Sequence, residues 1–385
     1  MSSNEAGNER CREREAEQAK SASPDLREAD LAKSAPRDLR EVEQAKSTPP
    51  DLRKVDRGMN ASLDPRDAEL ASGGRPETMP SDGRPQERTV ASRLPGPPAA
   101  RCHGAGRTEV KLTLFAAGYC THRESLTIRG GGRRTIRFPA AFACLEHPDL
   151  GPVLFDTGYS RRFFEQTERF PGRLYRWTTP VYFREEDSAA RQLKEAGIDP
   201  NDVRTIILSH FHADHIGGVM DFPQAEFVYL NEAYVSLRSR RSALSMVKAG
   251  FLPGLLPADF DRRSRPIDEA KQRIELPDCL RPFEQGYDLF GDGSVIAIDL
   301  SGHAPGQIGI YFVSAGQEYL LCADAAWSSR AYRDNAPPHP MAGLIKSDWR
   351  LYLHNLQQLH ELHAKSPHIR IVPAHCGEWW ESAHE

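Results

Sequence analysis

The stretch LSHFHADHIGG, residues 208–218, carries three histidines and one aspartate within six consecutive positions. It follows the apolar run RTIIL and ends in a Gly-Gly pair. His210 and His212 are two residues apart, and in an extended chain this spacing points both imidazoles to the same side. Asp214 and His215 fall where a helix is predicted to begin, a position that favours a carboxylate because of the free N–H groups and the helix dipole. The motif therefore indicates a metal site.

Three later segments offer further ligand-type residues. His303 lies in DLSGHAPGQ, Asp324 in LLCADAA and His375 in IVPAHCG. In each segment an apolar run delivers one such residue into a turn of small residues. Because rigid elements are what hold a metal centre in place, these repeated strand ends predict that the residues converge with the histidine motif.

The pattern from Glu109 onward predicts a layered α/β body. Short apolar runs bounded by turn residues predict strands: VKLTLF, GPVLFD, RTIILS, EFVYL, SVIAIDL, IGIYFV, EYLLCAD and IRIVPAH. Several runs are almost continuously apolar, as in sheets that are covered on both faces. Residues 185–197 predict an amphipathic helix, and Ser347 is predicted to cap a second helix over 348–365.

The first part of the chain has a different composition. No Phe, Trp or Tyr precedes Phe115, and a segment without aromatic residues cannot bury enough apolar surface to offset its chain entropy. Residues 16–54 contain three 13-residue repeats. We therefore predict a disordered low-complexity tail over 1–107 and one large α/β domain over 108–385. Met59 and Met79 are alternative translation starts.

Composition limits the partners and the compartment. A net charge of −4 is too small to indicate a nucleic-acid or membrane partner. The seven cysteines are scattered and never spaced as CxxC, which favours a reducing compartment over a disulfide framework. With no long apolar stretch and no apolar leader, the cytoplasm is the expected location and a small molecule the expected substrate. The sequence leaves open whether the chain forms a homodimer.

The motif HxHxDH, the later ligand-type residues and the early LFDTG at 154–158 together resemble the metallo-β-lactamase-fold hydrolase superfamily over about residues 109–378. The resemblance implies a four-layer αβ/βα sandwich. It also implies a two-metal site, in which one ion is held by His210, His212 and His303 and the other by Asp214, His215 and His375, with Asp324 bridging both.

The resemblance also implies roles for these residues. Asp156 would orient a ligand rather than bind metal itself. Asp214 and Asp324 would be the catalytic carboxylates, with Asp214 helping to move a proton to the leaving group. Imidazoles with few carboxylates suit zinc, with iron or manganese as alternatives. Two such divalent ions would share a hydroxide that attacks a carbonyl or phosphoryl centre.

Within that superfamily the sequence looks most similar to the N-acyl-homoserine lactonases. Those enzymes often have a tyrosine three residues after the bridging aspartate, whereas this chain has Trp327. Tyr159 or Tyr332 could replace the missing phenol, so these three residues are the predicted substrate pocket. The predicted activity is hydrolysis of a lactone, ester or thioester. Two alternatives remain: an iron-dependent oxygenase on the same fold, and a non-catalytic interaction protein that acts through its repeats.

Two segments are predicted to shape the pocket, residues 160–183 and residues 238–260. Both combine aromatic or apolar residues with arginines, a composition that suits a substrate with an apolar body and an anionic or carbonyl head. The alternative interpretation is an ordinary lid or a dimer contact.

Overall fold

The computed structural model describes residues 108–345 and 347–382. The predicted disordered tail over 1–107 and its three repeats lie outside the described residues, and that part of the domain prediction stays a prediction. Within the described residues, no helix combines the length and apolar character needed to cross a bilayer.

The described residues form thirteen β-strands. In chain order they are β1 (Lys111–Arg123), β2 (Thr135–His147), β3 (Gly151–Phe155), β4 (Val181–Tyr182), β5 (Thr205–Ile207), β6 (Glu226–Tyr229), β7 (Ser264–Pro266), β8 (Arg273–Glu275), β9 (Gln285–Asp288), β10 (Val295–Asp299), β11 (Ile308–Ser314), β12 (Gln317–Ala323) and β13 (Arg370–Pro373). Each of the eight predicted apolar runs overlaps a strand.

The strands form two mixed sheets. The first has seven strands in the order β4-β1-β2-β3-β5-β6-β7, and the second has six in the order β13-β12-β11-β10-β9-β8. In the first sheet β3, β5 and β6 are mutually parallel neighbours, and in the second sheet β12 is parallel to β13. Since parallel strands end at the same edge of a sheet, residues that follow these strands lie close together.

Twelve α-helices accompany the strands in the described residues. They are α1 (Glu124–Thr127), α2 (Arg161–Gln166), α3 (Gly172–Thr178), α4 (Ala189–Glu195), α5 (Ala213–Ile216), α6 (Asn231–Arg238), α7 (Ala243–Lys248), α8 (Phe260–Arg263), α9 (Glu269–Gln272), α10 (Ser329–Arg333), α11 (Trp349–Lys365) and α12 (Gly377–Ser382).

Three apolar cores define four layers. The middle core lies between the sheets and joins Val153 and Ile207 of the first to Ile310 and Val372 of the second. A second core packs helical segments such as α4 on the outer face of the first sheet. The third packs α10 and α11 on the outer face of the second sheet. The predicted four-layer αβ/βα sandwich is confirmed.

Strand β2 is the main element that the sequence analysis missed, because Pro139 interrupts its apolar pattern. The structure explains how the proline is tolerated. Strand β3 pairs with β2 only from Ala143 to His147, so Pro139 lies where β2 has no neighbour on that side. At this free edge, the backbone N–H of Ala141 instead donates to the carbonyl of Ala374.

The two predicted helices differ in detail from the observed ones. Residues 185–197 divide into a 3₁₀ turn, Glu185–Asp187, and helix α4. Helix α11 is capped by Asp348, whose side chain accepts from the backbone of Arg350 and Leu351. The hydroxyl of Ser347, the predicted cap, donates instead to the carbonyl of Gly302 at 3.0 Å. Ser347 thereby ties the start of α11 to the turn that carries His303.

Candidate metal centre

The first half of the candidate site is the segment that follows β5. His210 and His212 leave the strand in extended conformation, with ring centroids 4.4 Å apart. Asp214 and His215 lie in the short helix α5, and both are buried. Local geometry therefore agrees with the spacing argument, because the extended pair and the first helical turn bring four ligand-type side chains to one place.

The second half comes from the opposite sheet. His303 follows β10, and its Nε2 lies 2.9 Å from Nδ1 of His212 and 3.1 Å from Oδ2 of Asp324. His375 follows β13, and its Nε2 lies 3.0 Å from Oδ1 of Asp324. Asp324 follows β12 and thus touches ligand-type side chains on both sides.

The structure brings all seven predicted ligand residues together in two groups. In each group the candidate ligand atoms lie within 4.8 Å of one another: His210, His212, His303 and Asp324 in one, and Asp214, His215 and His375 in the other. The groups adjoin, since Oδ1 of Asp324 lies 3.4 Å from Nε2 of His215. The arrangement can hold divalent metal ions.

Asp156 orients the ring of His215 rather than joining either group. It sits in the turn after β3 at a positive φ of 60°, a backbone conformation that is uncommon for residues other than glycine and that clusters at functional sites. Its Oδ2 accepts from Nδ1 of His215 at 2.8 Å, and its carboxylate accepts from both the N–H and the hydroxyl of Ser209. The bond from Nδ1 directs Nε2 of His215 toward Asp324.

Two other histidines are oriented in the same way. The hydroxyl of Ser209 donates to Asp156 and accepts from Nδ1 of His210 at 3.0 Å. Nδ1 of His375 donates to the carbonyl of Pro139 at 2.8 Å. In each ring Nδ1 is bonded to protein and Nε2 faces the shared centre, the orientation that metal-binding imidazoles adopt.

The remaining ring nitrogens test whether a metal fits. Among the described residues, Nε2 of His210 and Nε2 of His215 have no hydrogen-bond partner although both are buried. Buried polar atoms without a partner are rare in folded proteins and call for an explanation. Imidazole nitrogens and carboxylate oxygens converging on one point are the donor set that zinc and similar divalent ions take. The residues fit a metal.

The electrostatics of the centre agree with this fit. Burial lowers the pKa of His210 well below its usual value, which keeps the ring neutral. Burial also opposes protonation of His215, but the carboxylates around it, with Asp156 foremost, outweigh that cost and raise its pKa well above normal. For Asp324, burial opposes ionisation, yet His375 and the neighbouring rings hold its pKa well below the usual range. A negative field of this kind would also stabilise a bound cation.

The three predicted pocket residues are placed differently. Trp327 borders the centre, with Nε1 donating to Oδ2 of Asp324 at 3.0 Å and its ring 5.9 Å from that of His303. Tyr159 is buried beside Phe163, with its hydroxyl near Cys120. The hydroxyl of Tyr332 donates to the carbonyl of Ile371 within the core between α10 and the second sheet. The structure therefore brings Trp327 to the centre and leaves the Tyr332 phenol elsewhere.

Two close approaches of glycine backbone hold the motif in place. A Cβ added at Gly217 would lie 2.6 Å from the carbonyl of Gly158, so the Gly-Gly pair allows the LFDTG turn to pack beneath the histidine motif. A Cβ added at Gly250 would lie 2.4 Å from Cδ2 of His212, and Gly250 has a positive φ of 69°. Gly250 also accepts from the N–H of Ala213 at 3.1 Å.

Sequence reasoning missed Ser209, Gly250 and the carbonyl of Pro139. Ser209 was detectable, since it adjoins His210 and hydroxyl groups often orient ligands. Gly250 carries no ligand-type side chain, and a backbone carbonyl leaves no sequence signal. Phe138, which precedes Pro139 in β2, was also missed. Its ring lies 5.4 Å from that of His375 and 6.0 Å from that of Trp327.

Comparison with known families identifies the superfamily to which the chain belongs. The model of the metallo-beta-lactamase superfamily matches residues 147–375, a span that runs from the end of β2 to the last ligand-type histidine. The chain belongs to this superfamily. Membership makes it an enzyme of the metallo-hydrolase type, and the two groups of side chains described above lie where its strands end.

Relatives of known name agree with this membership. The N-acyl homoserine lactonase AttM of Azorhizobium caulinodans is 24% identical over 283 residues, which cover 71% of this chain and 96% of AttM. The probable metallo-hydrolase Rv2300c of Mycobacterium tuberculosis is 28% identical over 337 residues, covering 82% and 99% of the two chains. The structure of an N-acyl homoserine lactone hydrolase with N-hexanoyl-L-homoserine at its catalytic metal centre shares the fold, with a TM-score of 0.54, 22% identity and coverage of 72% and 96%.

Proposed function

We propose that this metallo-beta-lactamase superfamily member is a dinuclear hydrolase of a lactone, ester or thioester bond. The observation that carries the proposal is the position of Asp324. Its two oxygens lie 3.1 Å from Nε2 of His303 and 3.0 Å from Nε2 of His375, residues that belong to different ligand groups. A carboxylate between two groups of imidazoles is suited to joining two cations.

The proposed ligand sets follow the two groups. His210, His212 and His303 would hold one ion, Asp214, His215 and His375 the other, and Asp324 both. Zinc is the metal that this donor set favours, with iron or manganese as alternatives. When bound, a pair of such ions supplies Lewis acidity and lowers the pKa of water to about 7.

The residues of the chain have separate tasks in the proposed reaction. Asp156, Ser209 and the carbonyl of Pro139 hold the histidine rings in position. Asp214 is slightly exposed, with Oδ2 3.5 Å from Nε2 of His375, and would pass a proton to the leaving group. In the overall step the acyl carbon gains the oxygen of water, its bond to the leaving oxygen or sulfur breaks, and that atom takes the proton.

In the proposed site, the side chain beside the bridging carboxylate is the indole of Trp327 and not a phenol. Its N–H is directed at Asp324, so it holds the bridging carboxylate. Its ring and that of Phe138 are edge to face at 6.0 Å and form an apolar wall beside His303 and His375. We propose that the wall contacts the apolar body of the substrate and that carbonyl polarisation falls to the metal centre alone.

A hydrolysis screen tests the proposal. Protein loaded with zinc is assayed on N-acyl homoserine lactones, thioesters, simple esters and phosphodiesters, with His212→Ala as the control. Lactones come first because several relatives carry that activity in their names. We expect at least one lactone, ester or thioester to be hydrolysed by the wild type only. Equal rates for both proteins on every substrate, or oxygen uptake by a protein with a single iron, would overturn the proposal.

A further inference from the structure

A cleft opens directly beside the candidate metal centre. Its volume is about 280 Å³, and His212 and His303 are among the residues that line it. The lining also includes the apolar Leu237 and two basic residues, Arg240 and Lys248, which together form its cationic wall. A molecule that fills this cleft therefore meets both candidate metal ligands and positive charge.

The positions of both basic residues are set by the chain that also holds His212. Arg240 follows the end of α6, and its Nη1 donates to the carbonyl of Ser245 at 3.3 Å, which ties the guanidinium to helix α7. Lys248 is the last residue of α7. Two residues later Gly250 packs against the His212 ring. Because this connection is short, the cationic wall and the candidate metal centre lie in the same part of the fold.

The charge of this wall is not neutralised by the protein. Among the described residues, neither Arg240 nor Lys248 forms an ion pair, and Nε of Arg240 is buried without a hydrogen-bond partner. By contrast, Arg238, two residues earlier, lies 3.9 Å from Asp261. A partly buried guanidinium with unused donors gains most from an oxyanion, which accepts charge-assisted hydrogen bonds.

We propose that the cleft binds an oxyanion, a carboxylate or a phosphate, of the substrate while the bond to be cleaved lies at the metal centre. This inference rests on the proposed hydrolase function and narrows its substrate class to esters, lactones or thioesters that also carry a negative group. The apolar wall of Trp327 and Phe138 lies by His303 and His375, so the substrate body has a surface distinct from the cationic cleft.

Paired esters test the proposal on the metal-loaded enzyme. Monomethyl succinate, glutarate and adipate each carry one carboxylate at increasing distance from the ester, and the dimethyl ester of each is its neutral partner. The readout is the ratio of kcat/KM for the monomethyl ester to that for the dimethyl ester. We expect a ratio of about ten or more for at least one chain length, the scale of one charge-assisted contact.

Three variants assign the effect to the cleft. Arg240→Gln and Lys248→Met should both bring the ratio close to one, and raising the salt concentration should lower the wild-type ratio. Lys248→Met is the safer variant for folding, because Arg240 also holds Ser245. Arg241→Gln removes the same charge from an exposed neighbour outside the cleft and should keep the wild-type ratio.

Binding gives a readout that does not depend on turnover. Glutarate and methyl phosphate are titrated separately into wild type and Lys248→Met by calorimetry, and we expect at least fivefold weaker binding of one of them to the variant. A wild-type ratio near one, or equal binding of both anions by both proteins, overturns the oxyanion proposal and leaves hydrolysis intact. Failure to hydrolyse any lactone, ester or thioester, together with weakened anion binding in the variant, overturns the hydrolase proposal alone.

Discussion

His147 is buried, as are His210 and His215 of the candidate metal centre, but its hydrogen bonds differ from theirs. Nδ1 of His147 accepts from the backbone N–H groups of Asp149 and Leu150, and its Nε2 donates to Oδ2 of Asp292 at 2.9 Å. Both nitrogens are therefore satisfied within the protein. In His210 and His215 only the outer nitrogen is bonded, and Nε2 faces the centre without a hydrogen bond.

The difference separates a structural histidine from the proposed metal ligands. His147 links the end of β2 to the hairpin that contains Asp292 by a hydrogen bond, so its role is to stabilise the fold. At the centre, Nε2 of His210 and Nε2 of His215 are instead buried without a hydrogen-bond partner, which costs stability unless something binds them. Burial does not distinguish His147 from the histidines of the centre, whereas the hydrogen bonding of the second ring nitrogen does.

The largest expected effect comes from removing one histidine of each kind. His210→Ala should lose about one metal ion per chain and lower kcat/KM by more than about a hundredfold, beyond the effect typical of residues that only orient a ligand. His147→Ala should keep its metal content and lose about 1–3 kcal/mol of unfolding free energy, because it leaves Asp292 without its partner. Metal analysis, kinetics and urea unfolding measure the three quantities. If both variants kept their metal, the distinction would be wrong.

Asp156 and Asp292, the carboxylates that accept hydrogen bonds from His215 and His147, form a second matched pair. Asp156→Asn replaces one carboxylate oxygen by an NH₂ group, which cannot accept a hydrogen bond. At least one of the hydrogen bonds that the carboxylate accepts from Nδ1 of His215 and from Ser209 is therefore lost. We expect metal affinity to fall about 10- to 100-fold. Asp292→Asn makes the same chemical change beside His147 and should leave affinity unaltered. Competition with a chromophoric chelator measures both; equal affinities would refute the role of Asp156.

Gly250 offers a smaller and more local disturbance. In Gly250→Ala the new methyl group would press on the His212 ring, displacing it and lowering kcat/KM by about tenfold, as expected for a small misplacement at a site. Gly197→Ala is the control, since Gly197 also has positive φ but a Cβ there meets nothing within 4 Å. Its cost should be confined to about 1 kcal/mol of stability. The same loss of activity in both variants would exclude contact with His212 as the cause.

The smallest effect concerns the pH dependence of the structural pair. Partial burial opposes ionisation of Asp292, but hydrogen bonds from Ser294 and His147 outweigh it and lower its pKa from 3.8 to about 2. Because the folded-state pKa lies below the unfolded value, ionised Asp292 stabilises the fold above about pH 4, and this contribution is lost as the pH falls toward 2. Asp292→Asn should therefore lose about 1 kcal/mol at neutral pH, a value reduced by solvent screening, and little at pH 2.5.

Thermal unfolding of the two proteins between pH 2.5 and 7 measures that difference. A gap between wild type and Asp292→Asn that grows as the pH falls would have the wrong sign and would contradict the assignment.

The sequence was most informative where spacing and pattern act locally. The run HFHADH predicts an extended pair followed by a helical turn, and the eight apolar runs predict strands of the two sheets. Strand β2 escaped because Pro139 breaks the apolar pattern at a free sheet edge. The contacts of Gly250 escaped because they depend on how α6 and α7 pack beside His212, which no local pattern encodes. The arginines of residues 238–260 did predict a pocket for an anionic or carbonyl head, but composition could not indicate that Arg240 and Lys248 line a cleft together with His212.

The site residues divide in the same way. Asp156 was predicted to orient a ligand from its place in LFDTG, and its bond to His215 is of that kind. The suggestions that Tyr159 or Tyr332 could supply a phenol came from residue type alone. Their surroundings are set by tertiary packing: Tyr332 bonds to Ile371, and Tyr159 lies against Phe163.

The number of metal ions per chain in fully active protein is the measurement that tests the central claim most directly. Elemental analysis is made on the same preparation that is assayed for hydrolysis, before and after removal of metal by a chelator and its return. We predict close to two divalent ions per chain, loss of activity with the metal, and recovery as both are restored. Full activity in protein with less than one ion per chain, or activity that survives complete removal of metal, would contradict the account.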